Sequence, residues 1–89
     1  MTFKEKYFQA KKNAEYYKSV GDYEKAQWIM EQARGDEIST RISYKYPLSA
    51  QISLLMDKDL KYGEWVEYQA YRAQVKNEVD LEIAKFEQD

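Results

Sequence analysis

The sequence predicts an all-α fold, a small helical bundle of three long helices plus one short helix after Pro47. Apolar residues recur at three- and four-residue spacing along most of the chain, as one buried helix face requires. No alternating apolar run is long enough for a strand. Turn and cap chemistry falls between the periodic stretches, at Gly21-Asp22, at Pro47 and in the polar connector Asp57 to Glu64. The expected helices are residues 3–20, 23–46, 48–57 and 64–87, in one domain spanning 1–89.

Thr2 followed by Glu5 is a capping box, which satisfies two of the amide hydrogens orphaned at a helix start. Behind it Phe3, Tyr7, Ala10, Ala14 and Tyr17 fall within about 80° on a helical wheel, a narrow core stripe. Gly21 supplies the left-handed conformation that ends a helix, and Asp22 caps the next. In the second helix Tyr23, Ala26, Ile29, Met30 and Ala33 share one side, and after Gly35-Asp36 the apolar positions move to Ile38, Ile42 and Tyr46. Either Gly35-Asp36 repeats the stop-and-cap chemistry, or one helix continues and changes the partner of its buried face. The continuous reading, ending near Tyr46, is favoured because a mid-helix glycine costs only about 1 kcal/mol.

Pro47 lacks an amide hydrogen and excludes its predecessor from helical geometry, so the second helix stops there. Leu48, Ile52, Leu55, Met56 and Leu60 then recur at helical spacing, and Tyr44 to Leu60 is expected to be a short buried pivot. The stretch DKDLKYGE is a polar connector rather than a calcium loop, since Lys61 stands where an oxygen ligand is needed. The last helix has two apolar faces: Trp65, Tyr68, Val75, Val79, Ile83 and Phe86 on one, Val66, Ala70, Ala73 and Ala84 roughly 150° away. The second is expected to contact the short helix or a second copy of the chain.

Fourteen basic and sixteen acidic residues leave a net charge of −2, which argues neither for a general nucleic-acid coat nor for a strong polyanion. Five lysines against two glutamates in residues 1–20, and seven acids against four bases in residues 61–89, make the two ends attract each other. Without cysteine or histidine there are no disulfides and no thiolate or imidazole ligands, and the Glu-x-x-His motif of a carboxylate metal centre is absent. Glu64, Glu67, Glu78 and Glu82 are expected to form a solvated face rather than an acid–base pair, and Gly21, Gly35 and Gly63 are isolated rather than a phosphate loop. The expectation is a non-enzymatic protein with no cofactor, no metal and no catalytic residue. No apolar run approaches the roughly 18 residues of a membrane span, and MTFKEKYF lacks a secretory core, so an unexported, cytoplasmic protein that does not enter a membrane is expected.

Nine tyrosines, two tryptophans and three phenylalanines are more than a core of this size hides, and such residues suit binding surfaces. Phe8, Lys12 and Tyr16 form a row away from the core stripe of the first helix, with Trp28 off the stripe of the second. These four are the candidate partner-binding residues, for a protein partner or a homodimer. The alternative is nucleic acid held by Lys4, Lys11, Lys12, Lys18 and the tyrosines among them, a basic and stackable strip suited to single strands or to inhibiting nucleic-acid machinery.

Two resemblances accompany these readings. Ala14, Tyr17, Gly21, Asp22, Tyr23, Ala26 and Ala33, within residues 13–33, resemble the turn of a tetratricopeptide repeat. Ile38 stands where that motif has a proline and no second copy follows at an offset of about 34 residues, so the likeness implies an antiparallel helical hairpin and no peptide-binding superhelix. RISYKYPLSAQISLLMDKDL with EWVEYQAYRAQVKNEVD resembles helical segments of phage tail and tail-fibre-associated proteins. That likeness implies a small phage-encoded adaptor or inhibitor, of the anti-defence kind among others, acting by binding in the host cytoplasm.

Overall fold

A computed structural model describes residues 1–88 and is 86% helical, with no strand among the described residues. Four helices follow in order, α1 (Phe3–Ser19), α2 (Tyr23–Lys45), α3 (Leu48–Met56) and α4 (Tyr62–Gln88). α1 starts at the capping box: the Thr2 hydroxyl accepts from the Glu5 amide at 3.2 Å, and the Thr2 amide donates to the Glu5 carboxylate at 3.3 Å. It ends in a Schellman motif, with the Asp22 amide donating to the Tyr17 carbonyl at 2.8 Å and the Gly21 amide to Lys18 at 3.0 Å. Gly21 has φ +82° there, and the Asp22 carboxylate caps α2 by accepting from the Lys25 amide at 3.1 Å.

α2 runs unbroken through Gly35, as the continuous reading expects. Its end is held from the next helix: the Gln51 side-chain amide donates to the Tyr46 carbonyl at 2.7 Å, one of the acceptors left open at a helix C-terminus. The Pro47 carbonyl opens α3 by accepting from the Ala50 and Gln51 amides. α4 starts two residues earlier than the expected Glu64, because the turn closed by the Asp57 carbonyl hands the chain straight to Lys61, whose carbonyl accepts from the Trp65 amide at 2.9 Å.

α1 and α2 form an antiparallel hairpin in which Ala14 and Ala26 are buried, small residues that let the two helices approach closely. α4 returns along α2 and completes the core of Ile38, Ile42, Leu54, Tyr68, Val75 and Val79, with Phe3, Tyr46, Trp65, Tyr71 and Ile83 packed around it. The first apolar face expected of the last helix is therefore the buried one. The expected attraction between the two ends appears as Lys11 on Glu87 at 2.6 Å. Two further pairs tie α2 to α4: Arg34 is bound through two nitrogens to Asp80 at 2.6 and 3.1 Å, and Arg41 likewise to Glu82.

Three expectations about packing are corrected. Tyr23 belongs to the first turn of α2, beyond the reach of the core, and is exposed. Of the two covers expected for the second face of α4, with Val66, Ala70, Ala73 and Ala84, the short helix is not one: the face is exposed on the chain, because α3 packs on the same side of α4 as the core. The pivot is not buried as expected: α3 turns Leu54 and Gln51 inward, and Leu48, Ile52, Leu55 and Met56, with Leu60 beyond it, lie exposed. Gln51 fixes that rotation. It donates to Tyr46 and accepts from the Tyr68 hydroxyl at 2.7 Å, and Leu48, Ile52 and Leu55 sit roughly 100° to 160° round the helix from Leu54.

Candidate docking surface

The row expected on α1 is divided by the fold. Phe8 packs its ring at 5.7 Å from Tyr7 and 6.1 Å from Phe86, in an aromatic cluster that also holds Phe3, and is 36% exposed. It stays outside the core cluster, as expected, but one edge of its ring is taken up by the contact that holds the end of α4 to α1. The signal was present in Phe86, the last residue of the buried face of α4, which needed a partner on α1. Lys12 is exposed. Tyr16 is 62% exposed and rests edge-on against Tyr17 at 5.2 Å.

Trp28, 55% exposed, lines a groove of about 290 Å³ between α1 and α2 together with Lys6 and Ala10. Lys6 and Ala10 lie on the flank of α1 away from Phe8, roughly 160° from it on the wheel, so the structure does not bring Trp28 to Phe8. Of the lysines in the nucleic-acid alternative, Lys11 is committed to Glu87. Tyr7 joins the same carboxylate, and its hydroxyl is pushed up to about 12 by burial first and by Glu87 second. The Glu87 carboxyl is held below its ordinary value by the Lys11 and Tyr7 hydrogen bonds.

A different surface gathers what the fold leaves out. On α3, Leu48 is 68%, Ile52 48% and Leu55 59% exposed, side by side on one face. Trp65, half-buried at the start of α4, forms the wall of a groove of about 220 Å³ that this ridge lines. A second groove, about 330 Å³, continues from Leu48 towards Ile38, Ser39, Ile42 and Ser43 of α2. The two share Leu48, Gln51, Tyr68 and Arg72. The Arg72 guanidinium lies over the Tyr68 ring at 5.7 Å, and the Lys58 ammonium stands 6.0 Å from the centre of the Trp65 ring.

Sequence reasoning named the ridge residues but assigned them to the core, and it missed Arg72. Periodicity identifies an apolar stripe without saying whether the stripe faces in or out, and here Gln51 and Leu54 decided the rotation. Among the described residues no three acidic side chains converge as a metal site requires, and no helix is long and apolar enough to cross a membrane. In comparisons with known proteins the chain matches no family model, no curated protein and no solved structure.

Proposed function

We propose that this protein is a non-enzymatic interaction module that docks a protein partner on the outward ridge of α3, with the Trp65 groove beside it. The observation that carries the reading is the simultaneous exposure of Leu48, Ile52 and Leu55 on one helix face. Burying such a side chain is worth about 1.5 to 3 kcal/mol, yet the fold uses Leu54 for its own core and leaves three neighbours in water. Contiguous apolar surface of this kind marks interaction sites. The chemistry around it supports binding rather than turnover: the grooves are lined by apolar side chains, hydroxyls, amide and one guanidinium, with no carboxylate to act as a general base.

Site-specific photocrosslinking in the source cells tests this reading. A photoreactive residue at position 52 is expected to trap a discrete protein adduct that disappears when Leu48 and Leu55 are changed to aspartate, whereas the same residue at position 12 traps none. Adducts at positions 12 and 16 with none at 52 would return the docking surface to the first helix and overturn the proposal.

A further inference from the structure

We infer that the α3 ridge takes an amphipathic helix of a partner protein, and that an acidic side chain of that helix pairs with Arg72; the inference rests on the docking reading above and adds the chemistry of the ligand. The three arginines of the chain are treated differently by the fold. Arg34 and Arg41 each engage a carboxylate through two nitrogens. Among the described residues Arg72 has only the Tyr68 ring beneath it, and the ion pairs there are Lys11–Glu87, Arg34–Asp80, Arg41–Glu37 and Arg41–Glu82.

Arg72 is also the one charged side chain lining either groove, and it stands where the two meet. A planar guanidinium held over a ring keeps its edge of N–H donors open, and that edge matches a carboxylate better than any other side chain. With Lys58 over Trp65, the groove is bounded by cations and holds no acid of its own. Its complement is therefore apolar at the centre and acidic at the margin.

Length and surface shape indicate a helix. Leu48 to Leu55 rises about 10 Å, two turns, so apolar residues at i, i+4 and i+7 of a ligand helix meet the ridge over its whole length. A second copy of the chain complements it poorly. α3 reads LSAQISLLM and carries no acid, and in a two-fold contact the same patch lies on both sides, so each Arg72 would approach a surface as cationic as its own.

The test uses the full chain and a display library of helical peptides about 16 residues long, with leucine fixed at i, i+4 and i+7 and the remaining positions varied among Glu, Lys, Gln and Ala. Enriched peptides are expected to carry glutamate beside an anchor. They should lose affinity about tenfold against Arg72→Gln, as loss of one partner of an interfacial charge pair implies, with no loss against Lys12→Gln. Arg72→Glu should recover binding when the peptide glutamate is changed to lysine, and Ile52→Asp should abolish binding. Circular dichroism of each variant separates lost binding from lost folding, and Arg72→Lys, which keeps the charge without the fork, should fall between the wild type and Arg72→Gln.

Peptides that fail with Ile52→Asp but ignore Arg72→Gln would overturn the acidic ligand while leaving the docking surface standing. No enrichment, or binding indifferent to Ile52→Asp, would overturn both. A dimer in sedimentation at about 100 µM, saturating for a micromolar contact, that Ile52→Asp abolishes would assign the ridge to a second copy and also overturn the inference.

Discussion

The hydroxyl of Tyr7, in the second turn of α1, donates to the carboxylate of Glu87, in the last turn of α4, joining residues 80 positions apart. Lys11 takes the other oxygen of the same carboxylate at 2.6 Å, and Phe86 beside it packs at 5.5 Å from both Phe3 and Tyr7. One terminal turn of α4 is thus held by an apolar and a polar contact together.

This joint predicts an alkaline limit. The Tyr7 hydroxyl is pushed from its usual 10.0 to about 12, by burial and then by Glu87. A raised value in the folded state means that its contribution is complete below the unfolded value and is lost as pH rises through the folded one. Stability followed by denaturant titration should therefore fall between about pH 10 and 12, and Tyr7→Phe should make that fall shallower while costing about 1 kcal/mol at neutral pH for the lost hydrogen bond.

An acid limit follows from the carboxylates that tie α4 to α1 and α2. Asp80 and Glu82 are held below their usual 3.8 and 4.5 chiefly by hydrogen bonds from Arg34 and Arg41, and Glu87 is held down by Lys11 and Tyr7. Lowered folded values stabilise above the unfolded ones, and the benefit disappears as pH falls through the folded ones. Thermal midpoints should decline below about pH 4.5, and Glu82→Gln should lower the neutral midpoint and flatten the decline. An unchanged slope in that variant would show that Glu82 takes no part.

Gly21 and Gly35 separate cleanly. Gly35 is helical with open space where a Cβ would stand, whereas Gly21 has φ +82°. Gly35→Ala should stabilise by about 0.5 to 1 kcal/mol, and Gly21→Ala should destabilise by about 1 kcal/mol or more. Equal losses in both would mean that α2 is interrupted at Gly35.

Aromatic residues on α1 should split in the same way. Phe8→Ala removes a ring that covers Tyr7 and Phe86, and should cost about 1 to 2 kcal/mol. Tyr16→Ala, which leaves only an exposed neighbour contact, should stay within about 0.5 kcal/mol. Chemical denaturation of the two single variants measures both.

Helix number, the first cap, the Gly21 turn, the stop at Pro47 and the buried face of α4 were legible because each depends on local chemistry or on a period shorter than the helix that carries it. What was not legible depends on contacts between distant segments. The rotation of α3 is set by Gln51 reaching both Tyr46 and Tyr68, two hydrogen bonds that no spacing rule contains. The contact of Phe8 with Phe86 lies outside the α1 stripe because α4 arrives from a second direction. Arg72 gave no signal among the fourteen bases, since what distinguishes it is that no carboxylate among the described residues pairs with it as Asp80 and Glu82 pair with Arg34 and Arg41.

If the outward ridge of α3 is surplus to folding, denaturant unfolding of two variants separates it from the core. The triple change Leu48→Gln, Ile52→Gln and Leu55→Gln keeps good helix formers and should leave the unfolding free energy within about 1 kcal/mol of the wild type. Leu54→Ala should lower it by about 2 to 3 kcal/mol through the cavity left between α3 and the core. A triple variant that unfolds as readily as Leu54→Ala would show that the ridge is core and that no docking surface is left over.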